Sequence, residues 1–260
     1  MLTPRPRTPL QYRKWLAGSY LPRLVASSVM HRRPIVDACG SKPGSGLVED
    51  LARINLLRPT EFCRVMTRFG SDKGRRWHNY TAIYSVLFAG YGRSARVFEL
   101  GLGTNNPGLV SSMGSTGRPG ASLRGWRELF PEGSIFGADI DRGILFQEPR
   151  IRTFYCDQLD QTAIAALWAE PALADGMDIL IEDGLHTFEA NLSFMVGSLE
   201  HVAPGGTYVV EDIESRALPA WRSMLRDLAA RHPDFEFVLL ELPNPANQQD
   251  NNLLVARRDR

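Results

Sequence analysis

The sequence predicts an α/β fold, a doubly wound and mostly parallel sheet with helices on both faces, and three observations carry that prediction. From about Arg96 onward, short β-branched runs alternate with helical patterns. The central runs are almost continuously apolar, as expected of strands covered on both sides. Five successive runs also end in acidic or glycine residues, at the edge where such sheets bind ligands.

Taken in order, the expected strands are 96–103, 134–141, 150–157, 177–184, 206–213, 235–242 and 251–258. Helical patterns separate several of them, at Ser122–Phe130, Phe188–His201 and Leu218–Arg231. Before this region the chain has a different character. Arg5, Arg7, Arg13, Lys14, Arg23, Arg32 and Arg33 precede or flank a mixed apolar run, with no acidic residue before Asp37. Arg13, Lys14, Pro22 and Arg23 break that run, which speaks against a secretory signal. Residues 1–66 are therefore expected to form a basic, partly helical extension, either packed on the domain or a second subunit or lying on a membrane surface. SKPGSG (41–46) reads as a linker, and residues 67–260 as the main domain.

Composition narrows the classes. With 260 residues, 43% hydrophobic and 23% charged, the chain is neither a disordered segment nor a coiled coil. A formal charge of +1 argues against a dedicated nucleic-acid binder. No apolar stretch reaches the roughly 18–20 residues of a spanning helix. Lysine occurs only as Lys14, Lys42 and Lys73 among many arginines, a bias with no evident function. Cys39, Cys63 and Cys156 show no metal spacing and suit a reducing cytoplasm.

Two constellations carry chemistry. In the first, Glu99-x-Gly101-x-Gly103 ends the first main strand. Its glycines permit a sharp turn and close approach to a ligand, and an acid just before them suits a cationic group. The dinucleotide fingerprint fails because Asn106 stands at its third glycine, and no Walker motif is present. Asp139 ends the next strand, where a carboxylate can hold ribose hydroxyls, and Asp157-Gln158 ends the third. Together they read as a nucleoside site. In the second, Asp183 and His186 follow one strand and Glu211-Asp212 another. Three converging carboxylates repel one another unless a cation joins them, and oxygen ligands favour a hard ion such as magnesium. His186 can face the same pocket as a general base.

These segments, with SDKG (71–74), HNY (78–80), SLRGW (122–126), DILIEDGLH (178–186) and PGGTYVVEDI (204–213), resemble the metal-dependent, S-adenosylmethionine-dependent sugar O-methyltransferases of the mycinamicin macrolide type. They are also similar to cephalosporin hydroxylase-like proteins. The resemblance implies a Rossmann-like class I methyltransferase fold. It assigns Glu99, Gly101 and Gly103 to the methionine end of the cofactor, Ser122 to the helix beside it, Asp139 to the ribose and Asp157 with Gln158 to the adenine. Asp72 and Tyr80 would belong to a segment closing over the cofactor. Asp183, Glu211 and Asp212 would ligate magnesium or another hard divalent cation, with His186 the base and Asp183 beside it in the catalytic pair. The acceptor would be a hydroxylated small molecule, a sugar or glycoside, and the enzyme a cytoplasmic homo-oligomer. A hydroxylase-associated protein or a non-catalytic nucleoside-binding module on the same fold is the alternative. Glu182, Leu185 and the Gly/Ser/Asn-rich loop 104–121 depart from the family pattern.

Overall fold

The protein is described from a computed structural model covering residues 33–40, 45–74 and 77–260. The basic arm and most of the expected linker lie outside the described residues. Among those described, the elements are β1 (Ile35–Cys39), α1 (Leu47–Ala52), α2 (Glu61–Phe69), α3 (Tyr80–Leu87), β2 (Arg96–Leu100), α4 (Ala121–Leu129), β3 (Ser134–Asp139), β4 (Gln147–Glu148), β5 (Ile151–Tyr155), α5 (Gln161–Trp168), β6 (Met177–Glu182), α6 (Phe188–Val196), β7 (Val202–Val210), α7 (Leu218–Arg231), β8 (Phe235–Glu241) and β9 (Asn252–Arg258).

All nine strands join one sheet in the order β1-β8-β9-β7-β6-β2-β3-β5-β4. Pairing is parallel from β5 through β3, β2 and β6 to β7, and antiparallel at β4, β9 and β1. All seven expected strands are present and the doubly wound prediction holds. Residue alternation sends each strand's side chains to opposite faces. Phe98, Leu100, Leu180, Tyr208 and Val210 pack with α5, α6 and α7. Val97, Ile179, Ile181 and Val209 face the other way, into a cluster with α3 and α4.

The expected boundary at residue 67 is corrected by the sheet itself. β1 pairs with β8, and residues 33–260 form one compact unit. β1 escaped notice because it is a five-residue edge strand, only partly buried, and so has no strong apolar period. The helices have ordinary local causes. Thr60, Asp160 and Thr187 cap α2, α5 and α6 by accepting from backbone N–H groups, an interaction worth about 1 kcal/mol each.

Strand order reverses at β2, which lies between β3 and β6. A crevice opens there beyond the carboxyl ends, where open α/β sheets bind ligands. Two tight features shape it. At the end of α2, Gly70 takes a left-handed conformation while the N–H groups of Gly70 and Ser71 return to the Met66 carbonyl, which turns residues 71–73 into the crevice. Gly101 has φ +89°, and a Cβ on it would lie 1.9 Å from the Asp183 carbonyl oxygen. β2 and the β6 end therefore approach as closely as they do only because residue 101 is glycine.

Gly101→Ala is expected to collapse thermal stability or abolish cooperative melting. Gly114→Ala makes the comparison: its φ is +69°, but a Cβ there meets nothing within 4 Å. That variant should lose only about 1 kcal/mol from the strained backbone. Similar melting of the two variants would reject the close-approach explanation.

Candidate active site

The crevice is a cleft of about 200 Å³. Of the residues singled out from the sequence, Asp72, Gly101, Gly103, Ser122, Asp139, Asp157, Gln158, Asp183, His186 and Asp212 line it. Glu99, Glu211 and Tyr80 are outside this wall and at most 1% exposed. What holds these three is the central feature of the site.

Lys73, from the SDKG segment, is buried with its ammonium among three carboxylates. Nζ lies 2.5 Å from Asp183 Oδ2, 2.5 Å from Glu211 Oε2 and 3.3 Å from Glu99 Oε1. These acids stand at the ends of β2, β6 and β7, three neighbouring strands. The remaining oxygens of the two buried glutamates are also used. Glu99 accepts from Ser122 Oγ at 2.6 Å and from Trp126 Nε1, and Glu211 Oε1 accepts from the Tyr84 hydroxyl. The acid before the glycines does meet a cation, as its type suggested. That cation is a lysine of the same chain.

Burial alone would lower the lysine pKa, but Asp183, Glu211 and Glu99 together hold it well above the ordinary value. Burial pushes Glu99 and Glu211 upward despite the lysine. Asp183 goes the other way: Lys73 and His186 overcome its burial and hold it below the usual carboxylate range.

Asp183 uses its other oxygen on the open side. Oδ1 lies 3.1 Å from His186 Nε2, and Asp212 Oδ2 lies 3.4 Å from His186 Nδ1. Potential ligand atoms of Asp183, His186 and Asp212 all fall within 4.8 Å of one another. His186 and Asp212 adopt left-handed backbones with φ +61° and +53°. Such conformations are uncommon outside glycine and concentrate at functional sites. Tyr80, expected over the cofactor, stands behind Asp212 instead, its hydroxyl donating to Oδ1 at 2.6 Å. His78 stacks on Tyr80 at a centroid distance of 4.5 Å and brings Nδ1 to 3.5 Å from Asp212 Oδ1.

The opposite wall suits a nucleoside. Asp139 accepts from the backbone N–H groups of Leu102 and Asp141 at 2.7 and 2.8 Å, which fixes its carboxylate beside the glycine turn. Ile140 and Leu159 line the cleft while 42% and 56% exposed, an apolar pair suited to a flat ring. Gln158 accepts from Leu185 N–H and donates to Glu182, bracing the two loops that flank the cleft. Sequence reading missed Lys73, Tyr84, Ile140 and Leu159. Lys73 carried one available signal: it is the only lysine among the described residues and lies inside a matched motif.

No family model matches the chain. Curated relatives do. It is 34% identical over 164 residues to the 8-demethyl-8-alpha-L-rhamnosyl tetracenomycin-C 2'-O-methyltransferase of Streptomyces olivaceus, across 62% of this chain and 39% of that one. It is 31% identical over 166 residues to the mycinamicin VI 2''-O-methyltransferase of Micromonospora griseorubida, across 63% and 39%. The chain thus spans about two-fifths of the length of these relatives. Among solved structures, the MycE methyltransferase of the mycinamycin pathway, in complex with Mg and SAH, is similar with a TM-score of 0.58 at 26% identity. That match covers 78% of this chain and 55% of the other. The resemblance to sugar O-methyltransferases and the class I methyltransferase fold both stand.

His186 yields a pH prediction for protein kept in chelator. Burial opposes its charge, but Asp212 and Asp183 prevail and push its pKa up from 6.5 to about 10. A folded-state pKa above the unfolded value gives stability that is complete below about pH 6.5 and lost as pH rises through about 10. Melting temperature should therefore fall across that window more steeply for the native chain than for His186→Gln. Parallel profiles would remove His186 from the carboxylate pair.

Proposed function

We propose that the chain is an S-adenosylmethionine-dependent O-methyltransferase, assisted by a divalent cation, that methylates a hydroxyl of a sugar on a glycosylated natural product. The observation that carries this reading is the Asp183–His186–Asp212 group opening into the same cleft as the nucleoside wall. The sugar O-methyltransferase relatives support the acceptor class.

The donor set fits both partners. Asp139 would accept ribose hydroxyls, with Ile140 and Leu159 against the adenine. Arg118, whose side chain packs over Gly70 in the cleft wall, offers positive charge to the methionine carboxylate. Asp183 and Asp212 present carboxylate oxygens to a hard cation on the open side, with Glu211 one residue behind. When bound, the divalent ion lowers the pKa of a coordinated hydroxyl and the methyl donor supplies an electrophilic carbon.

The protein's own work is positioning and proton transfer. Asp212 and Asp183 push the His186 pKa up to about 10, which favours the imidazolium over the free base. Asp183 and Asp212 would hold the cation, whose charge would offset theirs and lower the His186 pKa toward that of a base. The base would thus be favoured in the loaded site. Tyr80 and Lys73 hold the two aspartates in place for this exchange. Thr104, Ser111, Met113 and Leu185, from segments where this chain departs from the family pattern, also line the cleft. The three cysteines are free, in keeping with a reducing cytoplasm.

The test is a methyl-transfer assay on glycosylated polyketide acceptors, with chelator and then with added magnesium. Activity should vanish in chelator and return with the ion; full activity in chelator rejects the metal-assisted reading. Asp183→Asn should lower metal affinity and turnover while leaving S-adenosylhomocysteine affinity nearly unchanged. His186→Ala should lose about 10²–10⁴ in rate, as is typical of proton-transfer groups. Asp139→Ala should weaken S-adenosylhomocysteine binding by about 1–3 kcal/mol in calorimetry, and unchanged affinity would reject the ribose assignment.

A further inference from the structure

The carboxylates of this site divide between two faces. On the buried face, Glu99, Glu211 and Asp183 Oδ2 surround the Lys73 ammonium. On the open face, Asp183 Oδ1 and Asp212 Oδ2 flank His186. Asp183 belongs to both, one oxygen to each.

An ammonium offers three N–H donors; here Asp183 and Glu211 each accept one, and Glu99 completes the cluster as an ion pair at 3.3 Å. The lysine reaches them from a segment that is itself pinned. Its carbonyl accepts from Thr81 N–H, its own N–H reaches Ser71 Oγ, and His78 N–H returns to the Asp72 carbonyl. Ser71, Asp72 and Lys73 also form part of the cleft wall. Part of the inner negative charge is therefore balanced by a group that cannot diffuse away.

We propose that Lys73 is a positioning residue, a resident cation that keeps the inner carboxylates oriented and the sheet ends together, so that the divalent ion is an exchangeable visitor to the outer face and not a structural component. The proposal rests on the metal-assisted reading above. It assigns the two kinds of cation different work. The lysine holds Asp183 in the rotamer that points Oδ1 outward, and the exchangeable ion uses that oxygen. Burial of the lysine reserves the inner position for it. A divalent ion can substitute there only when the ammonium is gone.

Thermal melting, which needs no methyl transfer, tests this directly. The native 260-residue chain should melt within about 2 °C in chelator and in magnesium at its half-saturating concentration, whereas Lys73→Met should melt lower in chelator by about 5 °C or more. Magnesium or manganese should then return at least half of the lost stability to Lys73→Met. Ordinary loss of packing would not respond to the ion, so this recovery is the discriminating readout. A native chain that loses several degrees in chelator overturns the proposal, as does a Lys73→Met melt unchanged by its mutation or unmoved by the ion. If Lys73→Met does not fold, Lys73→Met/Glu211→Gln carries the same test. Removing one charge of each sign should restore folding, and a double variant no better than the single one rejects the resident-cation role. Manganese binding to the native chain, read by water-proton relaxation, keeps the two readings apart. Its absence would sink the metal reading and the exchange proposed here, whereas bound manganese without methylation of any acceptor would sink only the acceptor chemistry.

Discussion

One buried ammonium organises the site. Lys73 ties together the carboxyl ends of β2, β6 and β7, at the point where the winding of the sheet reverses. Open α/β sheets splay their strand ends there to make room for ligand, and this chain fills the floor of that gap with acids. Isolated buried carboxylates cost several kcal/mol each, so they persist only with compensation. A lysine on a four-carbon stem brings one compact charge to three acceptors, where the planar fork of an arginine would satisfy one carboxylate well and the others poorly. In a chain that otherwise favours arginine so strongly, lysine at this position has a geometric reason.

Around that centre, the acids are held by buried neighbours, of which only Ser122 also reaches the cleft wall. Tyr84 holds Glu211, Tyr80 holds Asp212, and Trp126 and Ser122 hold Glu99. Both tyrosines belong to α3 and both hydroxyls are buried, so one helix orients the acids of the β7 end. Tyr80 exchanges hydrogen bonds with the Asp212 carboxylate and N–H, holding a residue whose left-handed backbone, like that of His186, costs on the order of 1 kcal/mol. Strain at the residues that meet the reacting groups, offset by hydrogen bonds one layer behind them, is how a site is pre-organised.

How much of this was legible beforehand depends on what kind of information each feature needs. Strand positions follow from one-dimensional period and β-branched content, and all seven expected strands formed. The acids at their ends could be paired because alternating strands and helices imply a parallel sheet, which aligns those ends. β1 was not legible, since a short edge strand leaves no periodic trace. The demand for positive charge was readable from Glu99, Asp183 and Glu211, but its source was not. Lys73 lies far from all three in the chain, and only the turn at Gly70 brings it in. The family resemblance placed Tyr80 in a segment closing over the cofactor. Which face of α3 meets the β7 end decides otherwise, and that face is set by tertiary packing.

The two-faced geometry of Asp183 also bears on why Glu182 is buried beside it without a cationic partner. Glu182 sits at the end of β6 with one oxygen satisfied by Gln158 and Gly184 N–H and the other unpaired. Burial raises its pKa to about 7, against the opposing pull of His186. Its neighbour has drawn the lysine, because successive residues at a strand end point to opposite sides of the sheet and only one side faces residues 71–73. Burial of Glu182 is therefore met by a raised pKa, whereas Asp183 is held low by ion pairing. The same backbone alternation that packs helices on both faces of the sheet thus separates two adjacent acids into one whose pKa is raised, braced against Gln158 and the loop behind it, and one held ionised, available to a cation at the mouth of the cleft.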